Sequence, residues 1–272
     1  MLLKKKMLCF VFTMILVSAS LFSHAQKDGF VKLFNGKDLD NWNLKIRKGD
    51  DEMIKKIFVV ENNMVHVFKN LPDSTGLNTG GNETHGMMYT KQRYSRYIFK
   101  FEYKWGKKIY NNFGSFQYDA GMYYHVVEEK IWPKGIEYQI RYDNSKNENH
   151  TGDFWAPPGT SFQWYSSDSS KTFMAPYNGG VKVPIKLREH KALQTAKYNG
   201  LNDKWNTCEV IVMGNKYSIH KLNGVIVNLA TDLNLAEGTI GLQSETGEVY
   251  YRNIMIKEFK EDVPMETFLP KK

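Results

Sequence analysis

The chain has 272 residues, 42% of them hydrophobic and 14% aromatic, with 37 Lys and Arg against 29 Asp and Glu. That length and apolar share support one large core, and a mild positive charge with no long basic run excludes a dedicated nucleic-acid surface. Only two cysteines are present, Cys9 in an apolar leader and Cys208 in the body, so no disulfide is expected within the body of the chain.

Lys4, Lys5 and Lys6 precede an apolar run from Met7 to about Phe22, followed by Ser23-His24-Ala25. This pattern predicts a secretory signal peptide over residues 1–25, cleaved after Ala25, and a periplasmic or secreted protein. An uncleaved N-terminal anchor is the alternative reading of the same run. Without residues 1–25, three lysines and no acids are lost, leaving 34 basic against 29 acidic residues. No later stretch is long and apolar enough to span a bilayer, and residues 26–272 read as a single domain.

Val31 and Leu33 alternate ahead of the Asn35-Gly36 turn, with Leu39 and Trp42 as apolar anchors. Residues 57–68 suggest two strands around Glu61-Asn62-Asn63, and His66 on the second reads as structural or exposed. Residues 71–85 are polar and Gly-rich and predict a loop. Residues 98–105 place Phe99, Phe101, Tyr103 and Trp105 on a core face and Ile98, Lys100, Glu102 and Lys104 on the other.

The stretch from Asp119 to Asp143 carries the densest polar chemistry. Its first run puts Ala120, Met122, Tyr124 and Val126 on one face and Asp119, Tyr123 and His125 on the other. After a connection at Trp132 to Gly135, Ile136, Tyr138 and Ile140 share a face opposite Glu137, Gln139, Arg141 and Asp143. If the apolar faces pack inward, carboxylates, an imidazole, an amide, a guanidinium and a phenol gather on the other side. That mixture suits a concave ligand surface, although a solvated sheet face is the plainer reading.

Residues 144–183 look irregular, rich in Gly, Pro, Ser and Asn, yet contain Phe154, Trp155, Phe162, Trp164, Tyr165, Phe173 and Tyr177. Such aromatic content argues against a free linker. The rings either wall a pocket beside Glu137 or simply pack the loop onto the sheet. Residues 204–228 return to alternating strands with turns at Gly214-Asn215 and Asn223-Gly224, and Cys208 falls in a buried phase. Toward the end, Ile240 and Leu242 oppose Gly241 and Gln243, and a phase change across Arg252-Asn253 suggests a β-bulge. The body of the chain therefore reads as an all-β sandwich from about Phe30 to Phe259, with Met122, Tyr124, Tyr138, Ile140, Ile240 and Leu242 between its sheets.

Taken together, LFNGKDLDNW, DAGMYYH, GIEYQIRYDN, TGDFW, DKWNTCEVIV with KLNG, and GLQSETGEVYYRNIMIKEF resemble, in order, the bacterial 3-keto-disaccharide hydrolase family. The resemblance implies a concanavalin A-like jelly roll of two antiparallel sheets with long loops over the concave face. It also implies a small carbohydrate substrate. The family usually has Asn-Ser-Gly where this chain has Asp119-Ala120-Gly121, and Arg in place of His125.

What the resemblance implies chemically is cleavage of 3-keto-glycosides by proton abstraction at C2, β-elimination and hydration. Glu137 is then the candidate base and His125 the group facing the keto and enolate oxygens, with Asp119, Tyr123, Gln139, Arg141, Trp155 and Gln243 as substrate-binding residues. A divalent metal, if bound, would be held by His125 and Glu137, in competition with Glu137 acting as base. A conventional glycosidase pairing Glu137 with Asp119 or Asp143, and a non-catalytic sugar-binding module, are the alternatives.

Overall fold

Alternation of aromatic and charged side chains over Arg96–Ile109 builds the longest strand, fourteen residues with Phe99, Phe101, Tyr103 and Trp105 turned inward. The computed structural model describes residues 28–72, 84–110, 118–167, 172–185, 188–195 and 197–271. The expected signal sequence and most of the 71–85 loop lie outside the described residues.

Two sheets form among the described residues. In the ten-stranded sheet the order is Val181–Ile185, Phe162–Ser166, Val225–Thr231, Tyr217–Leu222, Asn206–Met213, Arg96–Ile109, Gly247–Glu258, Met64–Val67 and Phe58–Glu61, with Val31–Lys32 paired to Gly247–Glu258. In the eight-stranded sheet it is Arg188–His190, Phe154–Ala156, Ile136–Asp143, Tyr118–Val126, Thr239–Ser244, Gly86–Thr90 and Trp42–Ile46, with Glu148–Asn149 beside Ile136–Asp143. Pairing is antiparallel in both. This is the expected concanavalin A-like jelly roll, and no helix among the described residues is long and apolar enough to cross a membrane.

The six residues expected between the sheets are all fully buried. Phe101 meets Tyr138 edge-on across the gap, with ring centroids 6.2 Å apart. Each such apolar side chain withdrawn from water contributes about 1.5–3 kcal/mol, so an inward row of rings fixes which face of each strand looks out. Phenol groups in the gap find partners: Tyr124 Oη lies 2.8 Å from Ser218 Oγ and 3.0 Å from His220 Nε2, and Tyr251 donates to the Gln243 carbonyl at 2.8 Å. The expected bulge is present, with a register shift between Arg252 and Met255 and Asn253 at φ 51°.

Two expectations need correction. Residues 144–183 are not one irregular loop; Phe154–Ala156 joins the eight-stranded sheet, while Phe162–Ser166 and Val181–Ile185 join the other. Short runs with alternate rings buried are enough for strands once a neighbouring edge is free to pair. The second correction is a helix, Asp51–Ile57, capped by Asp50, whose carboxylate accepts from the Met53 amide at 3.0 Å. The expected structural reading of His66 holds: it is buried, with ring nitrogens 2.5 Å from Glu61 Oε1 and 2.6 Å from Glu248 Oε1.

Candidate functional site

Register sets the site. Tyr123 pairs with Glu137, Gly121 with Gln139 and Asp119 with Arg141 across the two central strands of the smaller sheet. Glu137 continues sideways to Trp155, and Trp155 to Glu189. On the other flank Leu242 pairs with Met122, which sets Gln243 beside Gly121. Directly paired residues point to the same side, so the pleat that buries Tyr138 and Ile140 aims Glu137, Gln139 and Arg141 outward.

These side chains line a cleft of about 450 Å³, bounded by Arg47, His85, Asp119, Tyr123, Trp132, Glu137, Gln139, Arg141, Trp155, Pro157, Pro158, Gln243 and Glu245. Trp132, from the connection after the Tyr118–Val126 strand, and Trp155 with its two prolines supply its apolar walls. Met87, Tyr89, Tyr123 and Val126 form a small apolar cluster on the same face, against which Ile131 and Trp132 pack. Tyr89 donates to the Lys130 carbonyl at 2.6 Å and so ties that connection down.

Gly121 explains how a carboxylate sits flat on the sheet. A Cβ there would lie 2.1 Å from Glu137 Oε1 and 2.8 Å from Gln243 Oε1, so both oxygens occupy the space a side chain would take. Tyr123 donates a hydrogen bond to Glu137. Burial pushes the Glu137 proton affinity well above the ordinary carboxylate range, Asp119 adds to the rise, and Tyr123 and Arg141 oppose it. Asp119 is raised too, by burial and then by Glu245, against the pull of Arg141. Glu245 is pushed up to about 8, by burial and then by Glu137. Arg141 is ion-paired through Nη2 to Glu189 at 2.5 Å.

Every expected substrate-binding residue (Asp119, Tyr123, Gln139, Arg141, Trp155 and Gln243) lies in this cleft beside Glu137. The expected catalytic residue His125 does not, nor do Asp143, the alternative partner of Glu137, and Trp164, one of the rings of the aromatic segment. His125 was expected on the polar face, but its backbone is at φ 51° where the strand slips register against Thr239–Gly241. The break in alternation turns the imidazole between the sheets, where Nε2 donates to the Gly214 carbonyl at 3.0 Å and the ring meets Tyr97 edge-on at 6.3 Å. Burial lowers its pKa to about 4, so it is neutral there. Asp143 folds back on the following turn, accepting from the Ser145 amide at 3.0 Å and the Ser145 hydroxyl at 2.7 Å. Trp164 belongs to the other sheet and donates to Asn228 Oδ1 at 2.7 Å.

The pairing of His125 with Glu137 around a metal is therefore corrected as well, since the two side chains leave opposite faces of the sheet. Among the described residues, a set of three metal-competent groups with ligand atoms within 4.8 Å of one another is His150, Asp153 and Glu189, behind Arg141. That set is already engaged: Asp153 accepts from the Ala192 amide at 2.6 Å and contacts His150 Nδ1 at 3.0 Å, while Glu189 holds Arg141.

Arg47, His85, Trp132 and Glu245 were not anticipated. Each sits just past a strand end or in a turn, outside the alternating runs. Arg47 and His85 are joined by a backbone hydrogen bond of 2.9 Å, and the His85 ring stacks near Trp132 with centroids 5.2 Å apart. His85 Nε2 lies 3.9 Å from Glu245 Oε1, and Gln243 Nε2 donates to Glu245 Oε2 at 3.1 Å. An acid in the tight turn that follows Gln243 was the sequence signal available for Glu245.

Residues 29–257 match the family described as the 3-keto-alpha-glucoside-1,2-lyase-like domain. Two crystal structures from Parabacteroides distasonis ATCC 8503, both provisionally named glycosyl hydrolases, are similar in fold. One shares 20% identity over 88% of this chain and 98% of its own, with a TM-score of 0.49. The other shares 16% over 85% of this chain and 99% of its own, with a TM-score of 0.50. No curated protein matches the chain in sequence. With most of its length matched to one family model and its polar cleft on the smaller sheet of a jelly roll, the chain belongs to the 3-keto-alpha-glucoside-1,2-lyase-like domain family and is carbohydrate-active.

Proposed function

We propose that the cleft cleaves 3-keto-glycosides, with Glu137 as the base that removes the C2 proton. The carbonyl at C3 acidifies that proton; its C–H electrons form an enolate, which expels the C1 oxygen. The leaving oxygen takes a proton, and water then adds across the C1–C2 double bond, hydroxyl to C1 and proton to C2. The observation that carries this reading is a carboxylate held mid-strand over Gly121, buried, and bonded by the Tyr123 hydroxyl. A base on a rigid strand keeps its aim, and a raised proton affinity makes it stronger once ionised. Arg141 is the cation nearest Asp119 and Glu189 and is assigned to the enolate oxygen. Glu245, protonated up to about 8, is assigned to the leaving oxygen.

Glu245 across from Glu137 also favours a second reading, a conventional glycosidase with two carboxyls in unlike protonation states. Product analysis with a 3-keto-disaccharide beside its unoxidised parent separates the two. Cleavage of the oxidised sugar alone supports the first reading, and cleavage of the parent alone overturns it.

Two expected results follow from the electrostatics. A carboxyl whose proton affinity is raised stays protonated, and idle as a base, where an ordinary glutamate with pKa 4.5 is already ionised. The kcat/KM for a 3-keto-glycoside should therefore rise only above the ordinary glutamate range, and loss of the Glu245 proton near 8 should bring it down. Glu245→Gln should remove the falling limb, and a profile already flat from 4.5 upward would contradict the assignment of Glu137. By contrast, His125→Ala should lower stability by about 1–3 kcal/mol, because the buried Gly214 carbonyl loses its donor. Its kcat should stay within a few-fold of the parent, as thermal unfolding and steady-state kinetics on one preparation would show. A collapse of kcat in folded protein would return His125 to the chemistry.

A further inference from the structure

Three buried acceptors of the cleft await a donor. Asp119 Oδ1, Gln139 Oε1 and Gln243 Oε1 are buried without a hydrogen-bond partner in the protein, and their residues are 8%, 5% and 1% exposed. For Gln243 the orientation is set by its own network, since its Nε2 donates to Glu245 Oε2 and leaves Oε1 over Gly121. Glu137 and Glu245 bring two more carboxyls to the same lining. Against these three carboxyls stand two guanidinium groups, and each has a further neighbour: Arg141 Nη2 holds Glu189 at 2.5 Å, and Arg47 Nη1 lies 3.5 Å from His85 Nδ1. An unmet buried acceptor costs about 1–3 kcal/mol, so three of them in one cleft define what a ligand must bring.

The missing partner is either one metal ion or several N–H and O–H donors spread over a ring. An ion needs its ligand atoms to converge on a point, and among the described His, Cys, Asp and Glu side chains the convergent set of three lies at His150, Asp153 and Glu189, not among the cleft's carboxyls. The cleft's oxygens surround a volume of about 450 Å³. Donors distributed around a sugar ring answer that geometry, and an ammonium substituent adds three N–H donors and a positive charge to a lining where three carboxyls face two guanidinium groups.

We infer that the cleft selects sugars bearing a free amino group, hexosaminides in preference to neutral glycosides, and rejects uronic acids. The inference rests on reading the cleft as a sugar site and names its substrate class. The raised proton affinities of Asp119, Glu137 and Glu245 agree with it, because a ligand ammonium supplies the positive charge those groups otherwise take from solvent as protons.

The test is binding of the methyl glycosides of glucosamine, N-acetylglucosamine, glucose and glucuronic acid to the whole protein, by calorimetry or NMR titration where the amine is protonated. The glucosaminide should bind at least about tenfold tighter than the glucoside, the scale of one charge-assisted hydrogen bond. N-acetylation should erase that preference, the glucuronide should bind weakest, and Asp119→Asn should narrow the ratio of glucosaminide to glucoside affinity. Equal affinity for glucosaminide and glucoside, or a preference for glucuronide, overturns the inference and leaves the sugar-site reading standing. Binding of none of the four, while a methyl 3-keto-glucoside binds, overturns the inference alone; failure of that sugar to bind as well overturns both. Competitive displacement of the glucosaminide by calcium overturns the inference in favour of a metal among these oxygens.

Discussion

Glu137→Gln is expected to fold normally, melt no lower than the parent, and turn over a 3-keto-glycoside at least about a hundredfold more slowly. The two halves of that expectation come from one cause. The carboxyl is buried and its proton affinity is raised, so between the ordinary value of 4.5 and the raised one the folded chain holds a proton that the unfolded chain has released. Stability therefore falls as pH rises through that window, and the site costs the fold free energy at neutral pH. Gln keeps the shape and the Tyr123 contact and never ionises, which removes the cost along with the base. A carboxylate kept at the fold's expense is the signature of a group selected for chemistry rather than for stability. Wild-type turnover by Glu137→Gln would mean that another group takes the C2 proton; a large drop in melting temperature would mean that Glu137 has a structural role instead.

How much of this was legible in the sequence depends on how local the cause is. Alternation is local, so the inward row Met122, Tyr124, Tyr138 and Ile140 and the outward row Glu137, Gln139 and Arg141 could be read from residue types alone. The backbone at His125 is not local in that sense. Its φ of 51° is imposed where the strand slips against Thr239–Gly241, a partner more than a hundred residues away, and one reversed dihedral sends the imidazole to the opposite face. Arg47 and His85 were invisible for a related reason, and Glu245 showed only as an acid in a turn. They stand past strand ends, and the sheet order, with Thr239–Ser244 between Tyr118–Val126 and Gly86–Thr90, is what gathers them around the cleft. Trp155 and Trp164 lie nine residues apart in one aromatic segment, yet pairing sends one to the cleft and the other to the opposite sheet.

Gly121→Ala should reproduce most of the loss seen with Glu137→Gln without touching any group that reacts. Gly121 lies within a regular strand, so alanine is tolerated by the backbone and the fold should persist. Its new Cβ, however, would lie 2.1 Å from Glu137 Oε1 and 2.8 Å from Gln243 Oε1, a separation no pair of atoms sustains. The carboxylate is the movable party, being the far end of a side chain, and it must swing away from the sheet. Displacement of a base by about 1 Å costs on the order of a hundredfold in rate, because the aligned geometry supplies much of the catalytic gain. The loss should fall chiefly on kcat, since the walls at Trp132 and Trp155 and the binding oxygen of Asp119 are untouched and Gln243, met at 2.8 Å, is the one binding group displaced. If the effect works through Glu137, then Gly121→Ala combined with Glu137→Gln should be no slower than Glu137→Gln alone, because removal of the same function is not counted twice. A raised KM with unchanged kcat would show that the methyl blocks the substrate instead, and full activity would show that the position of the Glu137 carboxylate over Gly121 does not matter to the reaction.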